Sequence, residues 1–153
     1  MKTINAMTFV YLFIFSVMIG GTLLLPTTRA ATISASVKID PDKINLADDF
    51  DKGSPVAIAA IQFDKPYQDR IEDINETSIL LDGVIPSTRG ELTPKRYKAF
   101  FDKAAVHDYL WLKIYHMGHT EPFKNVEVEL TVTGKLTDGT PFEGSDTIFV
   151  SAK

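Results

Sequence analysis

The chain has 153 residues, with 16 Lys and Arg against 20 Asp and Glu for a net charge of −4, a hydrophobic fraction of 44% and no cysteine. That length suits one domain plus a processing segment and excludes a second full domain. The lack of thiols excludes disulfide scaffolds, thiolate zinc centres, cysteine nucleophiles and CxxC redox chemistry. The acidic balance argues against a nucleic-acid binder, which needs clustered Lys and Arg to meet phosphates.

Residues 1–30 differ in kind from the rest. Lys2 is the only charge before Arg29, and Thr8 to Leu25 is an apolar run of 18 residues, TFVYLFIFSVMIGGTLLL. Pro26 breaks the run, and Thr28-Arg29-Ala30 offers small residues at −3 and −1 of a cut after Ala30. A positive start, an apolar stretch, a break and a small-residue site describe a secretory signal peptide. A retained signal anchor is the alternative, since 18 residues reach the lower limit for crossing a hydrocarbon core of about 30 Å. Either way residues 31–153 are expected outside the cytoplasm as a single domain. Without Lys2 and Arg29 that part has 14 basic residues against 20 acidic, a net −6.

From Ile33 the apolar residues alternate: Ile33, Ala35, Val37 and Ile39 are separated by Ser34, Ser36 and Lys38, the period of a strand with one buried face. Asp40-Pro41-Asp42 turns the chain and Ile44 and Leu46 make a short second piece. Val56 to Phe63, VAIAAIQF, is nearly continuous in apolar residues, which predicts a strand buried on both faces. Ser78 to Leu81 precedes Asp82-Gly83, a hairpin signal because both positions tolerate positive φ. Ser87 to Lys95 reads as loop, and Arg96 to Phe101 as a strand or the approach to a helix. Asp102 is a good N-cap for a short helix from Lys103 to about Leu110, with Trp111 to Asn125 open between helix, strand and loop.

The C-terminal third alternates most clearly. Val126 to Leu136 predicts a long strand, Thr137 to Pro141 a turn, and Phe142 to Val150 a returning partner. Short strands with frequent turns and one minor helix predict an all-β fold, an antiparallel β-sandwich of Ig-like architecture.

Several segments carry a resemblance: Val37 to Leu46, Ala57 to Phe63, Ile71 to Gly83, Phe101 to Val106, and above all Val132 to Ile148, VTGKLTDGTPFEGSDTI. Together they resemble a small secreted β-sandwich accessory module common at the C-terminal ends of archaeal and bacterial extracellular multidomain proteins. The resemblance implies a non-enzymatic domain. Members often carry an Asp-rich, calcium-type loop, but Pro86 to Pro94 here holds one acidic residue, Glu91.

Direct candidates for chemistry are few. His116 and His119 lie close together, but no HExxH frame or second ligand cluster completes a zinc site, and no metal site is expected. Asp48, Asp49 and Asp51 fail the EF-hand frame, because Ser54 and Ala60 occupy its sixth and twelfth places; a weak calcium site shared with Asp40 or Asp42 stays open. No cofactor is expected. No GxSxG elbow, phosphate loop or dinucleotide fingerprint occurs. Tyr109, Trp111, Tyr115 and Phe123 form the densest aromatic patch, beside Lys113 and Lys124, and are the candidate interaction face. Asn75-Glu76-Thr77 is a glycosylation sequon.

The sequence therefore predicts a non-enzymatic exported structural or interaction module, secreted or at the cell surface, whose partner is a protein or glycan there. It predicts no nucleic-acid partner, and a membrane contact only through an uncleaved N-terminal segment. A carbohydrate- or ligand-binding module using Trp111 to Phe123 is the alternative, and a small hydrolase a lesser one.

Overall fold

A computed structural model describes residues 31–47 and 57–153. The export segment at residues 1–30, and the acidic cluster at Asp48, Asp49 and Asp51, lie outside the described residues. In chain order the elements are β1 (Ile33–Asp40), β2 (Lys43–Asn45), β3 (Ala57–Phe63), two 3-10 helices (Gln68–Asp73 and Glu76–Ser78), β4 (Leu80–Leu81), β5 (Ile85–Thr93), β6 (Arg96–Phe101), α1 (Lys103–His116), β7 (Phe123–Lys135) and β8 (Pro141–Ala152).

The predicted antiparallel Ig-like sandwich is not what forms. The strands run in the order β1-β3-β6-β5-β4-β7-β8, and β8 returns to pair with β1, closing a seven-stranded barrel. Six of the seven contacts are antiparallel and the last, β1 with β8, is parallel. The parallel seam follows from the count: directions that alternate around a ring of odd number must repeat once. Closure also removes the sheet edges that an open sandwich would leave exposed.

The seam is short and reinforced. Ile33 and Ser34 pair with Phe142 and Glu143, and β1 then diverges to pair with β3 from Ala35 to Asp40. Where it diverges, the Ile39 N–H donates to Asp146 Oδ2 at 2.8 Å, and Lys38 Nζ lies 3.1 Å from the same oxygen. Beyond the bend, β2 resumes the parallel course along Phe149, Val150 and Ser151 of β8. Gly144 sits where the β1 backbone crosses closest, and a Cβ there would meet the Ala35 carbonyl oxygen at 2.1 Å.

The alternating residues do bury one face, as the period of two predicts. Ile33, Ala35, Val37 and Ile39 of β1 meet Ile61 and Phe63 of β3, Val128, Leu130 and Val132 of β7, and Phe142, Ile148 and Val150 of β8 in one apolar core. Phe63 and Phe142 touch edge to face across the seam, centroids 5.3 Å apart. In β3 only Ala57, Ala59, Ile61 and Phe63 are buried; Ile58, Ala60 and Gln62 are half-buried on the outside. A strand covered on both faces was expected there, and a barrel wall has only one inner face.

Two connections cross the barrel mouths. β3 and β4 are three places apart around the ring, so the chain between them spans one mouth, with Ile71, Ile74 and Ile79 turned inward. It is tied to the β7–β8 turn by Asn75 N–H to the Lys135 carbonyl and Thr137 N–H to the Asp73 carbonyl, at 2.9 and 2.8 Å. In that turn Asp138 accepts from Thr140 N–H and Arg70, which hold its carboxyl down at about 2. The other mouth is crossed by α1, which joins β6 to β7 and has the same three-place step. These are the turn end and the helix end.

Two further segments depart from expectation. Ser87 to Lys95, read as loop, is mostly β5, whose polar residues face out while Ile85 alone is buried; the Tyr97 ring lies over Gly90 and the Arg89 guanidinium stacks on Phe100 at 3.9 Å. The helix continues past Leu110 to His116 because Ile114 extends its buried stripe by one turn.

Candidate functional site

The helix end is where the candidate face lies, and its geometry begins with the Asp102 cap, whose carboxylate accepts from Ala105 N–H at 2.9 Å. Val106, Leu110 and Ile114, at intervals of four, point into the barrel mouth. Burial of each is worth about 1.5–3 kcal/mol. At the far end Gly118 takes φ +86, Gly118 N–H donates to the Tyr115 carbonyl and His119 N–H to the Ile114 carbonyl at 3.0 and 3.2 Å. This paired arrangement is a Schellman stop, and only a residue at ease with positive φ can make it.

Asp82 fixes the helix to the barrel wall. Asp82 and Gly83 take φ 49 and 69 in the expected tight turn, with Val84 N–H donating to the Leu81 carbonyl at 3.0 Å. The Asp82 side chain, 9% accessible, accepts from Lys113 Nζ at 2.5 Å and Tyr109 Oη at 2.8 Å through Oδ2, and from Thr131 N–H at 2.6 Å through Oδ1. Lys113 also donates to the Glu129 carbonyl at 2.6 Å. Because β4 has only two residues, the first half of β7 has no strand on that side, and Lys113 and Asp82 supply partners that a neighbouring strand would have given. Burial, and then the Asp82 hydrogen bond, push the Tyr109 phenol up to about 12.

The four aromatic residues therefore separate. Tyr109 is committed to Asp82. Phe123 is buried and Trp111 is half-buried against it, edge to face at 5.6 Å. Tyr115 alone of the four projects into solvent, 67% exposed; Leu112, 54% exposed, lies one turn before it, and Met117, 48% exposed, sits at the C-cap of the same helix. Leu112 and Tyr115 are three residues apart, on one face of α1 away from its buried stripe. An open recess of about 660 Å³ lies beyond the helix, between Met117 to Thr120 and the start of β7 at Phe123 to Glu127.

The histidines do not converge. His107 Nε2 is 3.1 Å from Trp111 Nε1 and 3.2 Å from the Leu46 carbonyl, and Nδ1 is 3.1 Å from Asp108 Oδ1. With the proton on Nδ1, Nε2 accepts from the indole. Nε2 cannot then also donate to the Leu46 carbonyl, so His107 holds the indole within α1 and only packs against the segment after β2. His107→Ala is expected to expose the indole N–H and red-shift emission from Trp111, the only tryptophan; an unchanged emission maximum would exclude the bond. No group of three or more His, Asp or Glu that could hold a metal occurs among the described residues, and no described helix is long and apolar enough to cross a membrane.

No family model matches this chain, and neither a curated protein nor a solved structure does.

Proposed function

We propose that this protein is an exported, non-enzymatic interaction module in which the barrel is a rigid scaffold and the helix end is the contact surface. The observation that carries this reading is the pair Leu112 and Tyr115, exposed on one face of a helix locked in place by Asp82 and the Gly118 stop. Exposed apolar and aromatic side chains on a fixed frame lose little conformational entropy on binding, which suits them to anchor an interface. The partner is a protein or glycan at the cell surface.

The topology fits that role. The chain enters the barrel at Ile33, at the turn end, because Ile33 pairs with Phe142 at the start of β8. The helix lies at the opposite end, where Phe123 pairs with Ala152. An export segment kept as an anchor would hold the turn end at the bilayer and present the helix end outward; cleavage after Ala30 would release the same surface. The block Val132 to Ile148, which resembles secreted accessory modules, is the second half of β7, its turn and the first half of β8, so it belongs to the scaffold.

Replacing Leu112 and Tyr115 together with serine is the test. Capture of cell-envelope partners by the purified domain is expected to fall about tenfold or more, the equivalent of about 1.4 kcal/mol, with the melting temperature unchanged. Equal capture by the variant would overturn the assignment. Export is checked separately by the N-terminal residue of the extracellular protein, expected to be Ala31; an intact Met1 on an intracellular product would overturn that part. The ligand-binding alternative has one observation in its favour, the recess of about 660 Å³, which is within the range of small-ligand sites. A glycan panel read by Trp111 emission separates it from protein binding.

A further inference from the structure

The sequon at Asn75 sits on the turn end, and its geometry suits modification. We propose that Asn75 is an acceptor for N-linked glycosylation when the chain is exported, an inference that rests on the export reading above. Asn75 and Thr77 are exposed. The Thr77 hydroxyl and the Thr77 N–H both donate to Asn75 Oδ1, at 2.9 and 3.2 Å. Two donors on the carboxamide oxygen hold the amide plane and polarise it. Among the described residues the Nδ2 group donates to none, so it faces solvent. The backbone beneath is fixed: Asn75 N–H donates to the Lys135 carbonyl at 2.9 Å, and the Ser78 hydroxyl to the Asn75 carbonyl at 2.7 Å. The acceptor therefore stands on the rigid rim of the barrel rather than within the core.

The co-substrate is a lipid-linked oligosaccharide. In the transfer a bond forms between Nδ2 and the anomeric carbon, the bond from that carbon to the lipid phosphate oxygen breaks, the phosphate keeps the electron pair, and Nδ2 loses one proton. The product places a large hydrophilic group at the turn end, where Ile33 enters the barrel, and leaves Leu112 and Tyr115 bare at the other. A glycan here would restrict partners to the helix end.

The experiment uses the full chain in a eukaryotic secretory host, once with residues 1–30 as they are and once with those residues replaced by an established secretion leader. Glycosidase-sensitive mobility and peptide mass mapping are expected to locate a glycan on Asn75. Asn75→Gln and Thr77→Val should each abolish it, and Thr77→Ser should keep it with the same far-ultraviolet dichroism as the parent. Since Asn75→Gln also loses the turn bonds, the Thr77→Ser and Thr77→Val pair is the discriminating comparison. Exported, folded protein with Asn75 unmodified in both arms would overturn the proposal. Modification only with the replaced leader would support the acceptor site while defeating the export reading.

Discussion

Gly144→Ala is expected to cost about 3 kcal/mol of stability or more, at the upper end of overpacking effects, because the added carbon has nowhere to go. It would meet the Ala35 carbonyl oxygen at 2.1 Å, its carbon at 2.9 Å and Val37 Cγ2 at 2.7 Å. Two of those three atoms are backbone, so no rotamer change relieves the clash. The strand that must retreat is the start of β1, whose ladder pairs with β8 are Ile33 with Phe142 and Ser34 with Glu143, with the Asp146 tie to Lys38 and Ile39 at its far end. Loss of the seam would therefore precede loss of the wall, and faster amide exchange at Ile33 to Ala35 should accompany a lower urea midpoint. Gly139→Ala is the control. That residue has φ +87 with no atom within 4 Å of an added Cβ, so its cost is the left-handed strain alone, about 1 kcal/mol. Equal midpoints for the two variants would mean that the seam does not close as described.

The same glycine explains why closure was hard to read. A strand in a sandwich and a strand in a barrel both bury every second residue, so Ile33 to Ile39 and Val126 to Val132 give the same pattern in either fold. The elements were legible for that reason, while their arrangement was not. Closure depends on a pairing between residues 33 and 142, more than a hundred positions apart, and no local propensity records it. Gly134 and Gly144 were the available signal. Glycine within a strand marks a bend or a close backbone approach, and here Gly134 faces the Phe142 ring while Gly144 faces β1.

At the helix end the aromatic cluster was visible in the sequence, but the division of labour within it was not. Helical spacing from Val106 through Ile114 puts Leu112 and Tyr115 off the buried stripe, which follows once the helix is known to reach His116. Asp82 could be read only as a turn residue. Its partners Tyr109, Lys113 and Thr131 come from two other elements, α1 and β7, far from Asp82 in sequence.

Asp82→Ala should be the most damaging change at that end. It strands the Lys113 ammonium, the Tyr109 hydroxyl and the Thr131 N–H together. Removing one partner of a buried pair costs about 3–5 kcal/mol, and the 27% exposure of Lys113 brings the expected figure to about 3 kcal/mol. Asp82→Asn, which keeps an acceptor for Tyr109 or Thr131 but not the charge, should lose less. An alkaline titration separates this tie from simple packing. The Tyr109 phenol is raised to about 12, above its ordinary 10, so the folded state keeps a proton that the unfolded chain gives up. The resulting stability is fully present below pH 10 and is lost as the pH rises through about 12. Burial is the larger cause and Asp82 the second, so in Asp82→Ala the phenol should titrate earlier than in the parent yet still above an exposed tyrosine. A phenol that titrates unchanged in the variant would show that Asp82 does not hold Tyr109, and the rigid frame beneath Leu112 and Tyr115 would then need another source.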